Sequence, residues 1–196
     1  MNAPEQVQQL IEISRHYGVD SRFVIDGGGN TSYKNAEKLW VKASGSSLAT
    51  ITEEGFAVLD RAKLKVLSDR TYSSDSAERE EQVKNDLAAA CISKGRRPSV
   101  ETSMHNAIDY AFVIHLHPTA VNGLMCANNV ESDLRRLFGQ EGGGALYIPY
   151  TDPGYVLFKL VEESIVAYRK AHGAEPQVIW LQNHGIFVAA NTTDEV

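Results

Sequence analysis

The chain is poor in the features that mark several common protein classes. It has only two cysteines, Cys91 and Cys126, both in apolar stretches that read as helical, without the paired spacing of a zinc site. That number excludes a disulfide scaffold. Both are expected to be buried free thiols of a reducing, cytoplasmic compartment. No apolar run approaches the roughly 20 residues of a membrane span. The opening Met1-Asn2-Ala3-Pro4-Glu5 has neither a basic n-region nor an apolar h-region, so no export signal is expected. Basic residues do not dominate: the net charge is −6, which argues against a nucleic-acid surface but leaves room for a local anion pocket. There is no Walker loop, no dinucleotide fingerprint, no internal repeat and no low-complexity tract.

What is present suits one globular domain. At 196 residues, 43% hydrophobic and 22% charged, the chain is long enough to bury a proper core. Apolar periodicity and helix-boundary residues predict helices over 4–17, 61–68, 77–94, 99–110, 119–127, 131–138 and 153–171. Short strands are expected over 23–25, 31–34, 38–42, 56–59, 145–148, 178–182 and 186–190, with another at Phe112-Val113-Ile114-His115-Leu116-His117. Glu141-Gly142-Gly143-Gly144 reads as a flexible turn. This order predicts a mixed α/β domain with helices over both faces of a central sheet. Thr192-Thr193-Asp194-Glu195 resembles the opening of a further helix, so the chain is expected to be the front part of something longer.

The histidines carry most of the functional information. His115 and His117 lie at i and i+2 of a strand, which presents two imidazoles on one face. That suits two ligands of one transition-metal ion; the alternative is a pair of core histidines satisfied by backbone carbonyls. His184, in a tight Asn-His-Gly turn between two apolar strands, is the natural third ligand, and three histidines with one open position suit catalytic zinc. His16 and His172 end helices, where cations are favoured anyway. His105 lies one helical turn after Glu101 and reads as its neighbour. Glu101, at the first turn of a helix that feeds the histidine strand, is the candidate proton-transfer group; its plainer reading is complementation of a helix N-terminus. Three loops could meet an anion: Gly27-Gly28-Gly29-Asn30-Thr31-Ser32, Ala43-Ser44-Gly45-Ser46-Ser47, and Ser99 behind Arg96-Arg97-Pro98.

Together these blocks resemble the class II aldolase/adducin family, over nearly the whole chain from Phe23 to Val196. Trp40-Val41-Lys42-Ala43-Ser44-Gly45, Pro98-Ser99-Val100-Glu101 and Tyr150-Thr151-Asp152-Pro153-Gly154-Tyr155 look closest to the rhamnulose-phosphate-type branch, in which an aldolase domain is often followed by a short-chain dehydrogenase. The resemblance implies a three-layer α/β/α fold with a mainly antiparallel mixed sheet. It implies a zinc ion, or another divalent transition metal, on His115, His117 and His184, with Glu101 as acid/base. Gly29, Asn30, Ser44, Gly45 and Ser99 would hold the phosphate of a ketose phosphate, cleaved to dihydroxyacetone phosphate and an aldehyde. Tyr150 is similar to a family tyrosine that reaches a neighbouring subunit's site, and a homotetramer is implied. The same resemblance leaves open a sugar-phosphate epimerase or dehydratase, and a non-catalytic adducin-like interaction module. Val100 stands where fuculose-phosphate-type aldolases carry a second serine, and the C-terminal tail that can supply another tyrosine is absent.

Overall fold

Among the described residues seven short strands make one sheet in the order β3-β2-β1-β4-β7-β6-β5. They are β1 (Asn30–Lys34), β2 (Lys38–Lys42), β3 (Phe56–Asp60), β4 (Phe112–Leu116), β5 (Ala145–Ile148), β6 (Val178–Leu181) and β7 (Gly185–Ala190). This is a computed structural model, and it describes residues 4–138 and 145–196. The expected Glu141–Gly144 turn and the opening three residues lie outside the described residues. Among the described residues only the β5–β6 pair is parallel; the other five pairs are antiparallel. β1 and β2 are joined by a tight turn in which the Asn35 side chain accepts the Glu37 and Lys38 amides, an Asx device that replaces missing ladder bonds.

Helices cover both faces, giving three layers. On one face α4 (Ser76–Ala90), α5 (Thr102–Ala107) and α8 (Tyr155–His172) enclose the main core with Leu39, Val41, Val113, Ile179 and Phe187. On the other, α1 (Glu5–Gly18) lays Val7, Leu10 and Ile11 on Tyr33, Trp40 and Phe112. Farther along that second face, α6 (Thr119–Met125) and α7 (Val130–Phe138) pack Met125, Val130 and Leu134 on Tyr147 and Trp180. α2 (Arg61–Leu64) and α3 (Val66–Asp69) are single turns that lead into α4. Strand alternation explains the division: in β4, Val113 joins the first core, while Phe112 joins the α1 cluster and Ile114 and Leu116 join a neighbouring one with Val24 and Leu48. Among the described residues no helix is long and apolar enough to cross a membrane.

Several local expectations change. Residues 23–25 form a turn, not a strand: the Phe23 and Val24 amides donate back to Asp20, and only Val24 is buried while Ile25 is 70% exposed. The 61–68 helix breaks at Lys65 into α2 and α3. The 77–94 helix stops at Ala90, because Cys91 bridges Leu59 and the Ile92 amide donates to Val58. Cys91 is therefore half-buried at the edge of β3, and Cys126 is exposed; neither is a core thiol. α5 begins at Thr102, after a turn in which the Glu101 amide donates to Ser99 Oγ.

Candidate metal centre

The first two imidazoles come from the end of β4. His115 is fully buried on the core side, its ring stacked on Phe187 of β7 with centroids 4.2 Å apart. His117 follows the last strand residue, and the third ring arrives from the β6–β7 turn. Asn183 there adopts a left-handed φ of 56°, a conformation its short polar side chain tolerates. The His184 amide then donates to Leu181, closing the turn. Gly185 is required by proximity: a Cβ at that position would stand 2.5 Å from both the Leu116 carbonyl oxygen and His117 Cδ2. The chain can bring the third histidine alongside the other two only because that side chain is missing.

The three rings converge. Their centroids lie 4.8 to 5.2 Å apart, and one nitrogen from each falls within 4.8 Å of the others. His115 Nδ1 faces the Ile186 carbonyl at 3.1 Å. A carbonyl only accepts, so Nδ1 carries the proton and a neutral His115 turns a lone pair outward at Nε2. That lone pair meets His117 Nε2 at 3.0 Å and Glu101 Oε1 at 3.1 Å, and His184 Nε2 is 3.4 Å from the same oxygen. So many acceptors face one another only with a proton or a cation between them. Burial, reinforced by the nearby His115 and His184 and opposed by Glu101, pushes the His117 imidazole down to about 4, so it is a neutral donor at physiological pH. Three imidazoles and one carboxylate fit a divalent transition metal.

Glu101 sits at the entry to α5, largely buried. Burial alone would raise its carboxyl, but the His115 ring, with help from His184 and His105, outweighs this and holds it well below the usual range. Asn30, opposite His115 in the β1–β4 register, extends its amide to Glu101 Oε2 at 3.4 Å.

The expected anion loops gather at the same end of the sheet. Gly29, with φ 72°, lies against Leu116 and Leu48 and leads into Asn30. Ser44 is tied to the other loop: its amide donates to Arg97 and its hydroxyl to the Pro98 carbonyl. Gly45 follows with φ 86°. Ser99 Oγ accepts from the Glu101 amide, which leaves its own proton to donate. Val100 is 67% exposed and provides no side-chain donor. Tyr150 is not brought to the imidazoles. It is 56% exposed, its hydroxyl donates to Asp152 (which raises its pKa), and it lines a cavity of about 360 Å³ with Ser76 and Arg79.

Sequence reading missed two buried cations. Lys42 is 6% exposed and donates to the Gly27 carbonyl, with burial lowering its pKa and Glu101 opposing. Lys34 is 4% exposed, and burial, aided by Arg61 and opposed by Asp109, lowers it to about 7. Each lysine closes a strand, a position ordinarily in water, so no local signal marked either as buried.

Comparison with known proteins places the chain and its fold in a family. The model of the Class II Aldolase and Adducin N-terminal domain family matches residues 8–196. The chain is 31% identical over 202 aligned residues to the uncharacterized oxidoreductase YuxG of Bacillus subtilis (strain 168), an alignment that covers 97% of this chain. The chain spans only 27% of that protein. Among solved structures, the N-terminal class II aldolase domain of a conserved protein from Thermoplasma acidophilum superposes with a TM-score of 0.81 at 26% identity, covering 100% of this chain and 88% of that one. A sugar-phosphate aldolase from Thermotoga maritima shares the fold at a TM-score of 0.61 and 13% identity, over 94% of this chain and 84% of that one. The chain belongs to the class II aldolase and adducin N-terminal domain family.

Proposed function

We propose that this family member is a metal-dependent aldehyde-lyase that cleaves a ketose phosphate to dihydroxyacetone phosphate and an aldehyde. The observation that carries the reading is the convergence of three imidazole nitrogens with the Glu101 carboxylate beside them. An adducin-like interaction module has no use for that cluster. His115, His117 and His184 would hold zinc or another divalent transition metal, which when bound supplies Lewis-acid stabilisation of the negative charge left as the carbon–carbon bond opens. Glu101, kept ionised by its surroundings, moves the proton on the dihydroxyacetone-phosphate fragment. Gly29, Asn30, Ser44, Gly45 and Ser99 hold the phosphate and so fix the reacting carbons relative to Glu101. Lys42 adds a positive charge beside the glycine loop. Ser44 contributes once its hydroxyl turns from Pro98.

Tyr150 assists at the aldehyde oxygen of a neighbouring subunit's site in a homotetramer. Its position apart from its own chain's imidazoles and its exposed ring support that assignment. Residues 1–196 are one aldolase domain, the N-terminal part of a longer cytoplasmic protein in which a dehydrogenase follows; the 27% span of YuxG supports this. Sugar-phosphate epimerisation or dehydration would use the same cluster.

The test is a lyase screen across C4 to C6 ketose phosphates with zinc, cobalt or manganese, for the wild type and Glu101→Gln. The variant is expected to keep about one ion per chain and to lose roughly 10²- to 10⁴-fold in turnover. Equal turnover would refute Glu101 as the base. Release of a free aldehyde distinguishes cleavage from epimerisation.

A further inference from the structure

β1 turns three polar side chains toward α5. Asn30, Ser32 and Lys34 are 2%, 0% and 4% exposed, and alternation puts all three on one face. Between them they reach two residues of the segment that carries Glu101, one helical turn apart. The Asn30 amide donates to Glu101 Oε2 at 3.4 Å, Ser32 Oγ lies 2.7 Å from His105 Nδ1, and Lys34 Nζ donates to the His105 carbonyl at 2.9 Å. His105 is fully buried, and its backbone amide donates to the Glu101 carbonyl. Its ring meets the edge of Phe187, the same ring that stacks on His115.

This arrangement is an expensive way to hold a helix. α5 has six residues and no side-chain cap at its start, so helix propensity alone gives it little stability. Apolar residues at 32 and 34 would bury more favourably than a hydroxyl and an ammonium, which at best recover their desolvation. Apolar packing, however, tolerates small slides and rotations. Hydrogen bonds at successive heights do not, because each has its own length and direction.

The geometry points to Ser32, His105 and Lys34 as a positioning ladder for Glu101. They lock the rotation and height of α5 so that the carboxylate stands 3.1 Å from His115 Nε2 and 3.4 Å from His184 Nε2. They are positioning residues: their side-chain hydrogen bonds join β1 to α5 and do not reach the ring nitrogens of His115, His117 or His184. The inference rests on Glu101 being the proton-transfer group.

The experiment compares Ser32→Ala, His105→Phe and the milder His105→Gln, each alone and combined with Glu101→Gln, in this chain. With substrate, kcat should fall by about 10- to 100-fold, as expected when a reacting group is misplaced by about 1 Å. KM should stay within about two-fold, and His105→Gln, whose amide can still pair with Ser32, should recover part of the loss. In the Glu101→Gln background the same changes should reduce kcat no further, because they act through that carboxylate. Losses that multiply with Glu101→Gln, or unchanged kcat in a folded Ser32→Ala protein, would overturn the ladder. Co²⁺ affinity provides a second cycle that needs no turnover. Ser32→Ala should weaken Co²⁺ binding when Glu101 is present and have no effect in Glu101→Gln. If that coupling appears while no sugar phosphate is turned over, the ladder stands and the lyase reading fails; if it is absent, the ladder fails.

Discussion

The two faces of the β1–β4 pair are built to opposite rules. Toward α1, Tyr33 and Phe112 meet at a tilt with centroids 5.1 Å apart, and Tyr33 meets Trp40 at 5.5 Å. Toward α5, the same two strands carry Asn30, Ser32, Lys34 and His115, every one buried. One face fills its volume with aromatic and aliphatic groups, whose burial stabilises the fold. The other accepts desolvated polar groups whose return is geometric. Register links them: Tyr33 pairs with Phe112 and Asn30 with His115 on the same ladder, so the aromatic face holds the sheet against which the polar face is aligned.

The comparison breaks first if the faces cannot be perturbed separately. Phe112→Ala should cost about 3–5 kcal/mol, the usual range for a buried phenylalanine, as read by urea unfolding. The surviving folded protein should still bind about one divalent ion per chain. His115→Ala should do the reverse. Ion stoichiometry should drop to near zero and turnover by more than about 100-fold, with a smaller loss of stability than Phe112→Ala. A Phe112→Ala protein that is folded but cannot bind the ion would show that the faces are not separable.

Two glycines sharpen the same contrast with smaller effects. A Cβ on Gly18, at the end of α1, would meet the Ala49 amide nitrogen at 2.4 Å, and one on Gly185 would meet the Leu116 oxygen and His117 at 2.5 Å. Each substitution forces backbone to move. Gly18→Ala should lower the melting temperature without changing ion affinity. Gly185→Ala, which displaces ligand-bearing chain, should weaken the ion by about 10- to 100-fold in a chelator competition. Equal effects on ion affinity would remove the distinction between the faces.

How much of this was legible beforehand follows the same division. The elements of the aromatic face were readable because their signals are local: positions 7, 10 and 11 mark one side of a helix over 4–17, and 31–34, 38–42 and 112–117 read as strands. The three histidines were readable because strand spacing and the Asn-His-Gly turn announce themselves in a few residues, and the surrounding blocks match a known family. The buried lysines were not. A lysine ending a strand is ordinarily in water, and its burial here depends on α5 lying across β1, which no short window records. Residues 23–25 misled for the converse reason. Phe-Val-Ile reads as strand by propensity, but backbone bonds to Asp20 close it into a turn. Cys91 was assigned to a helix that Leu59 and Val58 capture into the sheet edge instead.

The last expected effect concerns pH, and it follows from Lys34. Its pKa is about 7 in the fold against 10.5 for an ordinary lysine. Below pH 7 the ammonium is protonated in both states, and the fold bears the full penalty of burying it. Between pH 7 and about 10 the unfolded chain holds a proton that the folded chain has released, so stability rises with pH, by at most about 1.4 kcal/mol per unit. Tyr33 and Tyr72 act in the opposite sense: burial raises both above the usual 10, so stability declines once unfolded tyrosines ionise. The clean window is therefore pH 7 to 9.5. Lys34→Met has no proton to release there, and the wild type should gain on it steadily in urea melts at pH 7, 8 and 9. Parallel curves would mean that the ammonium is solvated, and that the α5 side of β1 is less dry than its packing indicates.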